Sequence, residues 1–149
     1  MRRIMLGLAA VAAFLTVGAM LLPEGEVVTL HALDAEGHET ETQLWIVEVD
    51  GAEYVRAPND RHPWLLRVRA RPDVELSRSR HAAAPEEREH FRAVVDASPA
   101  VRDAVNAAFA RKYGIADRFF GLVLDAESAV PVRLDPAPAP DGGEPEAAS

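Results

Sequence analysis

The chain has no cysteine in 149 residues. That absence excludes a disulfide framework, a thiolate nucleophile and any cysteine-held zinc or iron–sulfur cluster. Aromatics are scarce at 6%, so each large ring has a job in a core or at a site. Cations are outnumbered, with 16 Lys and Arg against 24 Asp and Glu, a formal net charge of −8 and a pI near 5.1. Such a surface repels a phosphate backbone at long range, and nucleic acid is not an expected partner. There is no glycine-rich phosphate loop and no serine in a nucleophile elbow. His31, His38, His62, His81 and His90 are dispersed rather than set at the short spacing of ligands on one element, and the sequence leads us to expect no metal site.

What is present begins with Arg2-Arg3 and an uncharged apolar run from Ile4 to Leu22. Nineteen residues at about 1.5 Å each approach the roughly 30 Å of a bilayer's hydrocarbon. Residues 1–22 therefore read as a signal anchor, or as a signal peptide cleaved near Val17-Gly18-Ala19. Arginines before the run and an acidic domain after it place that domain outside the cytoplasm, tethered to the membrane through residues 4–22 or secreted if the leader is removed.

Residues 26–135 carry the folded domain. Glu26 to Leu33 is rich in β-branched residues and reads as a strand, and Glu41 to Val49 reads as another that ends at the hairpin dipeptide Asp50-Gly51. Ala52 to Ala57 returns. Trp64, Leu65 and Val68 share one side of a short helix over Pro63 to Ala70, which Pro72 stops. Asp73 to Ser77, Glu89 to Val95, Phe119 to Leu124 and Val130 to Leu134 read as further strands. A longer helix runs from Pro99, capped by Ser98, to Gly114. Residues 136–149, rich in proline, glycine and alanine, read as a disordered tail. The fold class is mainly β (α+β): a small antiparallel barrel with two helices, preceded by the N-terminal signal or transmembrane helix. Leu44-Trp45-Ile46-Val47 is apolar on both faces, so a helix or a second subunit must cover the side that does not fill the barrel.

Arginines concentrate locally as Arg56, Arg67, Arg69, Arg71, Arg78 and Arg80. They form either a pocket for an anion or a solvated rim paired with Glu48, Glu53, Asp73 and Glu75. Trp45 reads as core, and Trp64 as core or as a stacking surface. Lys112-Tyr113 reads as the close of the second helix, or as a proton donor beside a cofactor.

The order of Gly37, Gln43-Leu44-Trp45-Ile46-Val47, Asp50-Gly51 and Tyr54-Val55-Arg56 resembles the FMN-binding split-barrel superfamily. Within it the similarity is to the deazaflavin-dependent nitroreductase-like (pyridoxamine 5'-phosphate oxidase-like) branch. Pro63-Trp64-Leu65-Leu66, Ala70-Arg71-Pro72-Asp73-Val74-Glu75-Leu76, Lys112-Tyr113-Gly114 and Val132-Arg133-Leu134-Asp135-Pro136 continue the resemblance, which spans Val27 to Asp135. It implies a split barrel, commonly a homodimer, that holds FMN or a deazaflavin (F420-like) with its phosphate on basic residues. It makes Arg56, Trp64 and Arg67 the cofactor-side residues, with Thr42, Gln43 and Leu44 lining the ring through their strand backbone. The activity implied is reduction of a small-molecule electron acceptor, quinone-like or nitroaromatic, and no catalytic acid or base is identified. One departure supports a second expectation. The loop before Gly37, basic and hydroxyl-bearing in the family, reads Leu33-Asp34-Ala35-Glu36 here, and carboxylates repel a phosphate. The alternative is an exported, non-enzymatic binding or assembly module that has lost its cofactor.

Overall fold

In the computed structural model, which describes residues 27–78, 83–114, 116–118 and 125–139, the chain builds one antiparallel seven-stranded sheet. The strands are β1 (Val27–Leu33), β2 (Glu39–Trp45), β3 (Val47–Val49), β4 (Ala52–Ala57), β5 (Asp73–Ser77), β6 (Glu89–Val95) and β7 (Val130–Pro136). Their order across the sheet is β2-β1-β5-β6-β7-β4-β3. The two edge strands are thus consecutive in the chain, and the sheet curls round on itself where they meet.

That junction corrects one sequence expectation. Glu41 to Val49 is not one strand: pairing starts at Glu39 and breaks at Ile46, β2 pairing with β1 and β3 with β4. A curled sheet needs a corner, and a bend in one strand makes it. The interrupted ladder leaves the Ile46 backbone without strand partners, and Tyr113 supplies them. Its hydroxyl donates to the Ile46 carbonyl at 2.8 Å and accepts from the Ile46 N–H at 3.1 Å, while Lys112 Nζ also donates to that carbonyl at 2.8 Å. Of the two roles the sequence leaves open for Lys112-Tyr113, both side chains reach past the helix end and hold the strand break together.

Among the described residues two helices of more than one turn pack on the sheet, beside a 3-10 turn at Pro85–Glu87 and the helical residues 116–118. In α1 (Pro63–Ala70), Trp64, Leu65 and Val68 are buried and join Val28, Leu30, Val55, Leu76, Val132 and Leu134 inside the curl of the sheet. Each such side chain contributes about 1.5–3 kcal/mol by leaving water. The second helix, α2 (Pro99–Tyr113), packs Val105, Ala108, Phe109 and Tyr113 against Val47, Tyr54 and Trp45 on the opposite side of the sheet. It is therefore α2 that covers the second apolar face of the Trp45 to Val47 stretch. Ser98 stands at the helix start without capping it through its side chain; its own N–H donates to Asp96 Oδ1 at 3.0 Å.

Asp50 (φ 51°) and Gly51 (φ 78°) both adopt left-handed backbone, the paired conformation of a two-residue hairpin. Pro136 and Ala137, expected to belong to the tail, are held by the sheet instead: β7 includes Pro136, and the Ala137 N–H donates to the His90 carbonyl at 2.9 Å. The expected strand Phe119 to Leu124 and the expected leader over residues 1–22 lie outside the described residues. Among the described residues no helix is long and apolar enough to cross a membrane.

Candidate functional site

The bend at Ile46 opens a cleft beside it. The end of β2, the residues following β4 and the inner face of α2 enclose about 530 Å³ between Gln43, Leu44, Trp45, Arg56, Asn106 and Phe109, with Asp117, Asp125 and Ala126 along the rim. This is the size range of small-molecule sites. Its wall is aromatic for a physical reason: Trp45 is only half-buried and stacks on Tyr113, with ring centroids 4.4 Å apart and planes 7° from parallel. Tyr113 in turn meets Phe109 at 5.6 Å. The residue that anchors the strand break thus also holds the indole at the mouth of the cleft.

Arg56 is the cation of this site, and it is already occupied. Its guanidinium lies 4.1 Å from the centroid of the Phe109 ring, Nη1 donates to Asn106 Oδ1 at 2.9 Å, and Nη2 pairs with the Asp117 carboxylate. The two ionic side chains are only 18% and 12% exposed, so their mutual neutralisation takes place largely out of water, where it matters most. Asn106 is fixed from behind by its donation to the Ala126 carbonyl at 3.0 Å.

The six residues proposed from sequence do not gather in one place. Gln43, Leu44 and Arg56 line the cleft. Thr42 does not: it lies one residue further from the bend, opposite Leu30 in the ladder, beyond the end of β2 that forms the wall. Trp64 is 2% exposed within the barrel core, the first of the two places the sequence leaves open for it, whereas Trp45, read as core, is half-buried and lines the cleft. Arg67 is half-buried on α1, away from the cleft, and has no ion pair among the described residues.

The other arginines serve the scaffold. Arg69 and Arg71 donate to the carbonyls of Asp60 and Ala35. Arg78 clamps Glu53 of β4 and Glu89 of β6 with hydrogen bonds of 2.6–3.0 Å. That clamp raises the guanidinium's pKa and holds the Glu89 carboxyl below the usual carboxylate range. Arg80 lies outside the described residues. Asn106, Phe109 and Asp117 are site residues that sequence reasoning missed. The one available signal was Asn106, an amide three residues before Phe109 on a helix whose neighbouring positions are apolar.

No protein-family model matches the sequence, and no curated protein does. Solved structures do. A Listeria innocua protein named for pyridoxamine 5'-phosphate oxidase superposes with a TM-score of 0.55 at 12% identity, over 85% of this chain and 93% of that one. The heme storage protein HutZ of Vibrio cholerae gives 0.55 at 14% identity, over 78% of this chain and 84% of that one. An F420 reductase gives 0.51 at 15% identity, over 80% and 92%. At such identities the likeness is one of fold. Strand order, the bent closing strand and these neighbours agree with the sequence motifs: this chain has the fold of the FMN-binding split-barrel superfamily.

Proposed function

We propose that the chain is a membrane-tethered, extracytoplasmic split-barrel domain that takes a flat ring of the flavin or deazaflavin class in the cleft between α2, β2 and β4, and recognises the ring rather than its phosphate. One observation carries this reading: an aromatic and apolar cleft in which Arg56, the one lining cation among the described residues, is paired with Asp117. The residues fit half of such a cofactor. Half-buried Trp45 offers the ring face turned away from Tyr113, and Gln43 and Leu44 offer a strand edge. A phosphate at Arg56, by contrast, meets a carboxylate already in place, and Arg67 does not reach the cleft. Fold neighbours that include an F420 reductase and a protein named for pyridoxamine 5'-phosphate oxidase support the flavin class.

When bound, the ring supplies hydride chemistry, delivered to a quinone-like or nitroaromatic acceptor; this chain's part is to orient the ring and limit water at its face. The tether rests on the uncharged run from Ile4 to Leu22, and pairing as a homodimer rests on the family resemblance. The second reading, an exported binding or assembly module without a cofactor, is favoured by the acidic loop. There the Asp34 carboxylate accepts from the His38 N–H at 2.8 Å, which lowers its pKa and keeps it charged.

Absorbance titration of the full chain with FMN, riboflavin, a deazaflavin and haem separates these readings. Ring-led recognition gives riboflavin and FMN matching affinities. A tenfold or greater preference for FMN overturns it in favour of a phosphate grip. Haem binding without flavin binding overturns the flavin class, and retention of none of the four establishes the module without a cofactor.

A further inference from the structure

On the outer face of the sheet, away from the aromatic cleft, β1 buries a histidine. His31 has a side chain only 1% exposed, and its Nε2 is 2.8 Å from Ser77 Oγ on β5. Its other ring nitrogen, Nδ1, is buried and makes no hydrogen bond. That orphan faces two carboxylates of β2, Glu39 Oε1 at 3.4 Å and Glu41 Oε1 at 3.7 Å. Strand register accounts for the grouping, since Glu41 pairs directly with His31 and Glu39 with Leu33 two residues along the same face.

We propose that His31, Glu39 and Glu41 form a binding site for one divalent transition-metal ion, with His31 Nδ1 and one oxygen of each glutamate as ligands. A charge-assisted hydrogen bond from a protonated imidazole would close to about 2.7–2.9 Å. The separations of 3.4 and 3.7 Å are longer than that and lie close to the spacing of ligand atoms around an ion: at metal–ligand distances of about 2.0–2.2 Å, tetrahedral geometry sets neighbouring ligands roughly 3.3–3.6 Å apart. All three donor atoms lie within 4.8 Å of one another.

The surroundings supply what such a site requires beyond its ligands. The Ser77 hydroxyl holds Nε2, which fixes the ring's orientation and leaves Nδ1 to coordinate, the usual support for a metal-bound imidazole. Arg88 binds Glu39 through the other oxygen, Oε2, at 2.7 Å, and Glu75 at 3.0 Å, so it steadies the glutamate without taking the oxygen that faces His31. Three carboxyl side chains, Glu39, Glu41 and Glu75, gather here against the single guanidinium of Arg88, an excess of acidic groups that complements a dication. His31, Glu39, Glu75 and His90 also border a cleft of about 670 Å³, leaving room for water or an anionic ligand at the metal's open positions. His90, 3.7 Å from Glu75, and Asp73 stand on the same cleft. One nitrogen with two oxygens selects ions of the Zn²⁺, Mn²⁺ and Fe²⁺ kind over Ca²⁺ or Mg²⁺.

The test is calorimetric titration of the metal-stripped full chain with Zn²⁺ alone, repeated with Co²⁺ to read the d–d absorption of the bound ion. One equivalent is expected, with Co²⁺ bands of a nitrogen and oxygen ligand set. Replacing His31 can unfold a buried position, so the glutamates carry the test: their side chains are 43% and 49% exposed. Glu39→Gln and Glu41→Gln are each expected to weaken binding at least tenfold, and Ser77→Ala by about 10–100-fold through the loosened ring. His38→Ala, at an exposed histidine on the neighbouring loop, leaves it unchanged. Binding that survives both glutamine variants, or that disappears with His38→Ala, overturns the proposal, as does the absence of a bound equivalent of either metal.

Discussion

At Ile46 the chain has left one ladder and not yet entered the next, and the backbone groups exposed by that step are satisfied by a tyrosine 67 positions away. Tyr113→Phe keeps the ring stack on Trp45 and removes only the hydroxyl. Leaving the Ile46 groups unpartnered in a buried place is expected to cost about 1–3 kcal/mol, read as a lower denaturant midpoint with faster amide exchange at Ile46. An unchanged midpoint would mean that Lys112 alone holds the bend. Arg56 gives the second prediction at this scale. Asp117→Asn removes the countercharge and keeps the shape, so stability is expected to fall by about 1–3 kcal/mol. At the same time the affinity for FMN should rise relative to riboflavin, because the freed guanidinium can take a phosphate. A ratio that does not move would show that Arg56 is out of the ligand's reach.

The elements were legible to different degrees, and the reasons are local. The hairpin at Asp50-Gly51 is written in two residues, because few sequences tolerate left-handed backbone at both positions. Gly51→Val, which forces a β-branched residue into φ 78°, is expected to destabilise by about 1–2 kcal/mol, whereas Asp50→Gly should be neutral or slightly stabilising. Thermal melts of the two variants check this, and equal losses would contradict it. The helices were equally readable: α1 and α2 begin at their prolines, and α2 ends at Gly114, whose φ is +50°. The break in the long strand was not readable. Leu44-Trp45-Ile46-Val47 is uniformly β-prone, and nothing local distinguishes a straight strand from one that changes partners half-way. The candidate site was hidden for the same reason. Gln43, Leu44 and Arg56, which line the cleft, are marked in the sequence by the family resemblance, while Asn106 and Asp117 reach Arg56 only through the packing of α2 and of the residues that follow it.

For the whole molecule, the acidic composition makes stability a matter of how the carboxylates are paired. Arg78 lowers the pKa of Glu89, the Ser98 side chain and backbone lower that of Asp96, and Arg133 lowers that of Asp135. A carboxyl whose pKa is lower in the folded chain than in the unfolded one stabilises the fold fully above the unfolded value of about 4, and loses that contribution as pH falls through the folded value. The melting temperature is therefore expected to be level near neutrality and to drop steadily below about pH 4. Arg78→Ala should flatten part of that drop, and a melting temperature that rises on acidification would contradict the assignment. By itself the sequence determined the fold class, the two helices and the two-residue hairpin, because those depend on propensity, periodicity and turn residues that act over a few positions. It also supplied the motif order that resembles the split barrel. Tertiary structure alone decided where the cations go, which tryptophan stays in the core and which lines the cleft, and that His31 meets Glu39 and Glu41. Each of these depends on strand register and on side chains brought together from distant parts of the chain, and register is fixed only when the whole sheet closes.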